Sequence, residues 1–155
     1  MLSRTGEYAL RAVAFLAGRQ GVAWTVQQIA PETRVPRGYL AKVLQQLVRA
    51  GLVRSQRGVG GGFVLARPAA SISVLEVLNA VDPIRRIRRC PLDLPEHRGT
   101  LCALHRRLDD AYATIEESFA RTRLSDLVGA PARRGAPPAW PRGLVRAAPR
   151  RGRRA

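Results

Sequence analysis

The chain of 155 residues is short of the residue types that several common kinds of protein depend on. Its two cysteines, Cys90 and Cys102, are too few for the disulfide framework of a small secreted domain. Aromatic residues make up only 5% of the chain, which argues against base stacking and so against a general RNA- or ribosome-binding protein. No stretch approaches the ~20 apolar residues of a membrane span. The N-terminal segment, amphipathic and carrying Arg4, Glu7 and Arg11, does not read as a signal peptide, so the expected location is the cytoplasm. A paired-carboxylate motif and a nucleophile constellation are both missing. No enzyme and no small-molecule substrate are expected, and a small metal or redox protein is the remote alternative.

What is abundant is positive charge. The formal net charge is +16, almost all from arginine, since Lys42 is the only lysine. Such a charge favours an anionic partner, nucleic acid first and a membrane surface second. Residues 129–155 carry eight arginines and no acid, are rich in Pro, Gly and Ala, and read as a disordered tail, either a solvated appendage or a source of non-specific phosphate attraction. Residues 1–128 then hold 19 basic and 11 acidic side chains, a net of +8, so charge alone does not establish DNA binding.

The apolar pattern from the N-terminus is helical. Ala9, Ala12, Val13 and Leu16 share one face of a helix over 4–18, with Ser3 as N-cap and Gly18 and Gly21 closing it. Thr25-Val26-Gln27-Gln28 reads as a capping box that opens a short helix, broken from Pro31 onward. A second helix, starting at Pro36 and carrying Leu40, Val43, Leu44 and Leu47, stops at Gly51. This pair is a helix-turn-helix candidate. Leu52–Ser55 and Phe63–Leu65 read as strands around a glycine-rich tip at 56–62, with Arg54, Arg57 and Arg67 nearby. That is a wing whose glycines let backbone approach a phosphate or enter a minor groove. The glycines are not a dinucleotide fingerprint, because the sixth position is Phe63 and a strand follows.

Ser73-Val74-Leu75-Glu76 is a second capping box, opening a helix with Leu75, Leu78 and Val81 that Pro83 stops. After an irregular stretch at 84–99, Leu101, Leu104, Leu108, Ala111 and Ile115 recur in steps of three and four. This narrow stripe suits a long helix that pairs with a second copy, the alternative being packing on its own domain. Leu124, Leu127 and Val128 form a closing apolar turn.

The segments GEYALRAVAFLA at 6–17, VPRGYLAKVLQQLVRAGLVRSQRGVGGGFVLAR at 35–67, ISVLEVLNAVD at 72–82 and LSDL at 124–127 resemble, in order, the IscR/NsrR (Rrf-two) family of winged helix-turn-helix regulators. The resemblance covers about 1–128. It implies a mainly α fold with a small β-hairpin wing and a long C-terminal dimerisation helix: a DNA-binding domain at 1–83, a sensor loop and dimerisation helix at 84–128, and the tail beyond. It implies a homodimer that regulates promoters on double-stranded DNA. Arg37, Tyr39 and Lys42 of the recognition helix are then expected at bases and phosphates, with Arg57, Gly60 and Gly61 acting from the wing.

In several members of that family a loop before the long helix holds an iron–sulfur cluster on three cysteines, sometimes with a following histidine. Here the two cysteines and the two histidines all fall within 16 residues. Cys90 and Cys102 match the first and third family cysteines, His105 matches the histidine, and Glu96 stands where the middle cysteine would be. The resemblance implies a cluster, [2Fe–2S] ahead of [4Fe–4S], on Cys90, Cys102 and His105. Glu96, His97, or Glu7 of the other subunit are candidates for the remaining ligand. Arg85, Arg86, Arg88 and Arg89 are expected to favour a thiolate at Cys90. A metal-free switch between Cys90 and Cys102, or zinc, are the other readings.

Overall fold

Two capping boxes and a run of helical apolar stripes organise the fold, and a computed structural model describes residues 2–92, 94–97 and 99–128. The order is α1 (Arg4–Ala17), α2 (Val26–Thr33), α3 (Arg37–Arg49), β1 (Val53–Gln56), β2 (Gly62–Leu65), α4 (Val74–Val81), α5 (Ala103–Arg121) and α6 (Leu124–Val128). Short 3-10 turns lie at Ala69–Ser71 and Pro95–His97. The basic tail expected to be disordered lies outside the described residues. None of the described helices is long and apolar enough to cross a membrane.

The ends of these elements follow from local chemistry. The Ser3 side chain accepts from the Gly6 N–H at the start of α1. At Thr25/Gln28 and Ser73/Glu76 the first residue accepts from the N–H of the fourth, whose side chain accepts in return. α3 ends in a Schellman arrangement: the Leu52 N–H donates to Leu47 O and the Gly51 N–H to Val48 O, both at 3.0 Å. Gly51 takes φ +70° there, the left-handed geometry that a side chain disfavours.

Two boundaries differ from expectation. Pro31 does not break α2, which runs on to Thr33 and ends in left-handed Arg34. A proline here removes one N–H, whose acceptor would be the carbonyl of Gln27, on the exposed side of the helix. The Thr33 hydroxyl adds a bond at the end of the helix, donating to Ile29 O at 2.9 Å. Pro36 is the N-cap of α3, with ψ 135°, and helical geometry begins at Arg37.

The core gathers Ala9, Val13 and Leu16 of α1, Ile29 of α2, Leu40, Leu44 and Leu47 of α3, Val53 and Leu65 of the hairpin, and Val77 of α4. β1 and β2 pair antiparallel, Val53 opposite Leu65. A non-local bridge from Trp24 to Phe63 ties the hairpin to the segment after α1, through reciprocal N–H to O bonds of 3.0 and 2.8 Å. α6 packs into this same core: Leu124 is fully buried, its N–H donates to Ile72 O, and the Val74 N–H donates to Thr122 O, both at 2.9 Å. The closing turn, expected with the C-terminal part, thus belongs with the N-terminal body.

α5 packs on α4 yet buries none of its own residues. Leu104, Leu108 and Ile115 are 63%, 43% and 39% exposed, and Ala111 is exposed with them. Leu101 precedes the helix, because Cys102 is its N-cap, so the stripe on α5 starts at Leu104.

Candidate nucleic-acid interface and metal centre

The apolar face of α3 is buried in the core, which turns its opposite face to solvent. Arg37, Gly38, Tyr39, Lys42, Gln45 and Arg49 are exposed. Tyr39 is 58% exposed and meets Tyr8 of α1 edge-on, with ring centroids 6.1 Å apart. No side chain caps the start of α3 and its first turn has no acid, so its amide end is open to an anion. Residues 56–60 of the wing tip are exposed, among them Arg57 and a fully exposed Val59.

Two wing glycines have reasons internal to the hairpin. A Cβ at Gly61 would lie 2.5 Å from Gln56 O, and one at Gly62 would lie 2.5 Å from the Trp24 backbone. Gly60, at φ +80°, faces open space.

Charge is concentrated at this surface. Residues 33–75 contain seven cations (Arg34, Arg37, Lys42, Arg49, Arg54, Arg57 and Arg67) and no acid, so they supply +7 of the +8 carried by 1–128. Among the described residues, the first six have no ion-pair partner, whereas Arg11, Arg86 and Arg121 elsewhere are paired with Glu7, Asp109 and Glu117. Arg67, expected to serve the wing, is held by Glu76 at 2.8 Å. Exposed Arg34, Gln45 and Arg49 join the candidate residues named from the sequence. The acid-free stretch and the spacing 42, 45, 49 were the signals for them.

The second constellation lies at the opposite end of α5 from its junction with α4. Arg86 donates to Asp109 at 2.7 and 2.6 Å and to Glu116 at 3.3 Å, and the Ile87 N–H donates to the same Asp109 at 2.8 Å. This clamp fixes the segment leading to Cys90 against α5. His105 sits one turn before Asp109, so the clamp and the Cys–His cluster share one helical face. Buried Cys90 places Sγ 3.6 Å from Nδ1 of His105 and 3.3 Å from Nδ1 of His97; Cys102 Sγ lies 3.2 Å from Nδ1 of His105. The ligand atoms of Cys90, Cys102 and His105 all lie within 4.8 Å of one another.

The Cys102 thiol is drawn down to about 7, chiefly by the backbone N–H of His105 and then by its imidazole. The expected agents were the arginines acting on Cys90. Of these, Arg86 is turned to Asp109 and Glu116. Glu96 is exposed and stands outside the cluster. Glu7 is also away from it: paired with Arg11, it lines a cavity of about 580 Å³ with Asp82, Tyr112, Ile115 and Phe119. Two thiols and an imidazole converging at these distances are soft and borderline donors suited to iron–sulfur or zinc.

A recognition helix, a wing and a long projecting helix define a winged helix-turn-helix regulator of transcription. Residues 2–130 match the family described as Rrf2, iron-dependent transcriptional regulator, and the chain belongs to that family. A protein of Aquifex aeolicus (strain VF5) named as an HTH-type transcriptional regulator is 30% identical over 131 residues, spanning 83% of this chain and 91% of the relative. Among solved structures, CymR, the global cysteine regulator of B. subtilis, is similar with 26% identity and TM-score 0.67, over 82% of this chain and 95% of that one. T. potens IscR is similar with 25% identity and TM-score 0.67, over 81% and 84%. The family and these relatives are regulators of transcription, not enzymes.

Proposed function

We propose that the chain acts as a cytoplasmic homodimer on a pseudo-palindromic duplex site, with its DNA affinity set by an iron–sulfur cluster at Cys90, Cys102 and His105. Residues 1–83 read DNA and residues 84–128 carry the sensor loop and the pairing helix. The observation that carries the control is the convergence of Cys90, Cys102 and His105 within 4.8 Å on a segment clamped to α5. Pairing is supported by the exposed stripe of Leu104, Leu108, Ala111 and Ile115 on a helix with no buried residue. When bound, the cluster supplies a tie, dependent on iron supply or oxidation state, between the loop and α5. Arg86 and Asp109 hold the loop in register. Arg37, Tyr39 and Lys42 face the major groove, and Arg57 and the Gly60–Gly61 tip face the backbone or minor groove.

The test is anaerobic purification followed by iron and sulfide analysis, with fluorescence anisotropy on a duplex selected from a random pool. Removing the cluster should change Kd by at least about 5-fold, the lower end of ordinary allosteric coupling. A protein that holds iron and sulfide but binds DNA equally with and without them defeats the control reading. Equal affinity for duplex and single strands defeats the DNA reading.

A second reading, a metal-free switch between the two thiols, is favoured by one observation: the Cys102 thiol, drawn down to about 7, lies within 4.8 Å of Cys90. In that case oxidation of metal-free protein changes DNA affinity and dithiothreitol reverses it.

A further inference from the structure

We propose that His97 is the ligand that completes the metal centre, so that Cys90, His97, Cys102 and His105 form a closed set of two thiolates and two imidazoles within one chain. This rests on the cluster reading above and names the donor that the family's cysteine pattern leaves open. The position aligned with the middle cysteine is Glu96, whose side chain is exposed. One residue further on, His97 turns Nδ1 to within 3.3 Å of Cys90 Sγ. His97 is also held in place by its backbone. Its N–H donates to Leu94 O at 2.9 Å, and its carbonyl accepts from the Thr100 N–H at 3.1 Å.

The pattern of contacts favours a shared acceptor over separate hydrogen bonds. Cys90 Sγ faces two imidazole Nδ1 atoms at once, at 3.3 and 3.6 Å, and the second imidazole also faces Cys102. A thiol has one proton and donates to one nitrogen at a time. Cys90, Cys102 and His105, whose ligand atoms lie within 4.8 Å of one another, are instead a ligand set, and His97 reaches that set through its contact with Cys90. Glu7, the competing donor from the other subunit, is paired with Arg11 on its own helix and lines a cavity apart from the cysteines of its own chain. Imidazole in place of thiolate raises the potential of a cluster, so a two-thiolate, two-imidazole set is reduced more readily, and oxidised less readily, than an all-cysteine one.

The test uses the full chain reconstituted anaerobically with iron and sulfide, comparing wild type with His97→Ala, His97→Cys and Glu7→Gln. The readouts are iron and acid-labile sulfide per chain, the visible spectrum and the reduction potential. His97→Ala is expected to lose more than ~100-fold in iron retained against a chelator, beyond the roughly 10–100-fold that loss of an outer-shell partner costs. His97→Cys is expected to restore the iron content with an altered spectrum and a lower potential, which separates lost ligation from lost folding. Glu7→Gln is expected to match wild type. The inference is overturned if His97→Ala keeps wild-type iron content and spectrum, if His97→Cys leaves both spectrum and potential unchanged, or if Glu7→Gln loses the cluster. A wild-type chain that takes up no iron and sulfide overturns the cluster reading itself, and this inference with it.

Discussion

Arg57→Ala measures whether the wing touches DNA, because its effect on salt dependence can be worked out in advance. Each phosphate neutralised steepens the fall of log K against log salt by about 0.9 on duplex DNA. A dimer presents two wings, so removing Arg57 should flatten that slope by roughly 1.8. Between about 50 and about 200 mM salt, wild type should then lose about 12-fold more affinity than the variant. The effect should be the same on specific and random duplexes, because phosphate contacts carry no sequence information. The structure also provides the control. Arg67 lies just beyond the same hairpin but is held by Glu76 at 2.8 Å, so Arg67→Ala should leave the slope unchanged. Anisotropy titrations at four or five salt concentrations decide the matter. An Arg57→Ala slope equal to that of wild type, or to that of Arg67→Ala, refutes the placement of the wing at the backbone.

Two further outcomes follow from the structure. Leu108 is 43% exposed in the single chain, so Leu108→Arg should leave the protomer folded by circular dichroism while sedimentation reports a monomer that no longer holds the palindromic site; a variant that stays dimeric removes the helix-pairing proposal. In metal-free protein the alkylation rate of Cys102, followed by peptide mass spectrometry, should rise with pH through an inflection at about 7, since the thiolate is the reactive form. His105→Ala should move that inflection upward, and an inflection unmoved by this change shows that the His105 imidazole does not stabilise the thiolate.

What was legible in the chain was local. Both capping boxes are four-residue patterns with one geometric meaning, and both form. The stripe Leu40, Val43, Leu44 and Leu47 is buried as its spacing implies. The glycine-rich tip between two apolar runs closes into a hairpin. What was not legible depends on partners distant in the chain. The pairing of Trp24 with Phe63 joins residues with no shared pattern. Pro31 reads as a breaker unless one knows that the carbonyl it abandons lies on the exposed side of α2. In the sensor region, composition points to the 16-residue window that holds both cysteines and both histidines, and the family resemblance picks Cys90, Cys102 and His105 from it. Which cation acts on which group was decided by Asp109 and Glu116, more than 20 residues from Arg86, and these redirect an arginine that sequence reasoning had assigned to Cys90. The acid-free stretch at 33–75 is present in the sequence but is diluted in the net charge of 1–128 as a whole.

The division of labour along α5 links these observations. One face carries Leu104, Leu108, Ala111 and Ile115, exposed and apolar. Another carries His105, Asp109 and Glu116, occupied by the cysteines and by Arg86. The far end is pinned beside the start of α4 through Thr122 and Val74, one step from the core that seats α3. A helix is stiff over its 19 residues compared with the irregular segment at 84–92. A change in how the loop is held at the first turn of α5 therefore acts at one end of a lever whose other end is built into the DNA-binding body. In a dimer paired along α5, a small rotation of that lever alters the spacing between two recognition helices while leaving each unchanged. The quantity to follow under control is thus the half-site spacing that the protein prefers, in addition to its affinity for any one site.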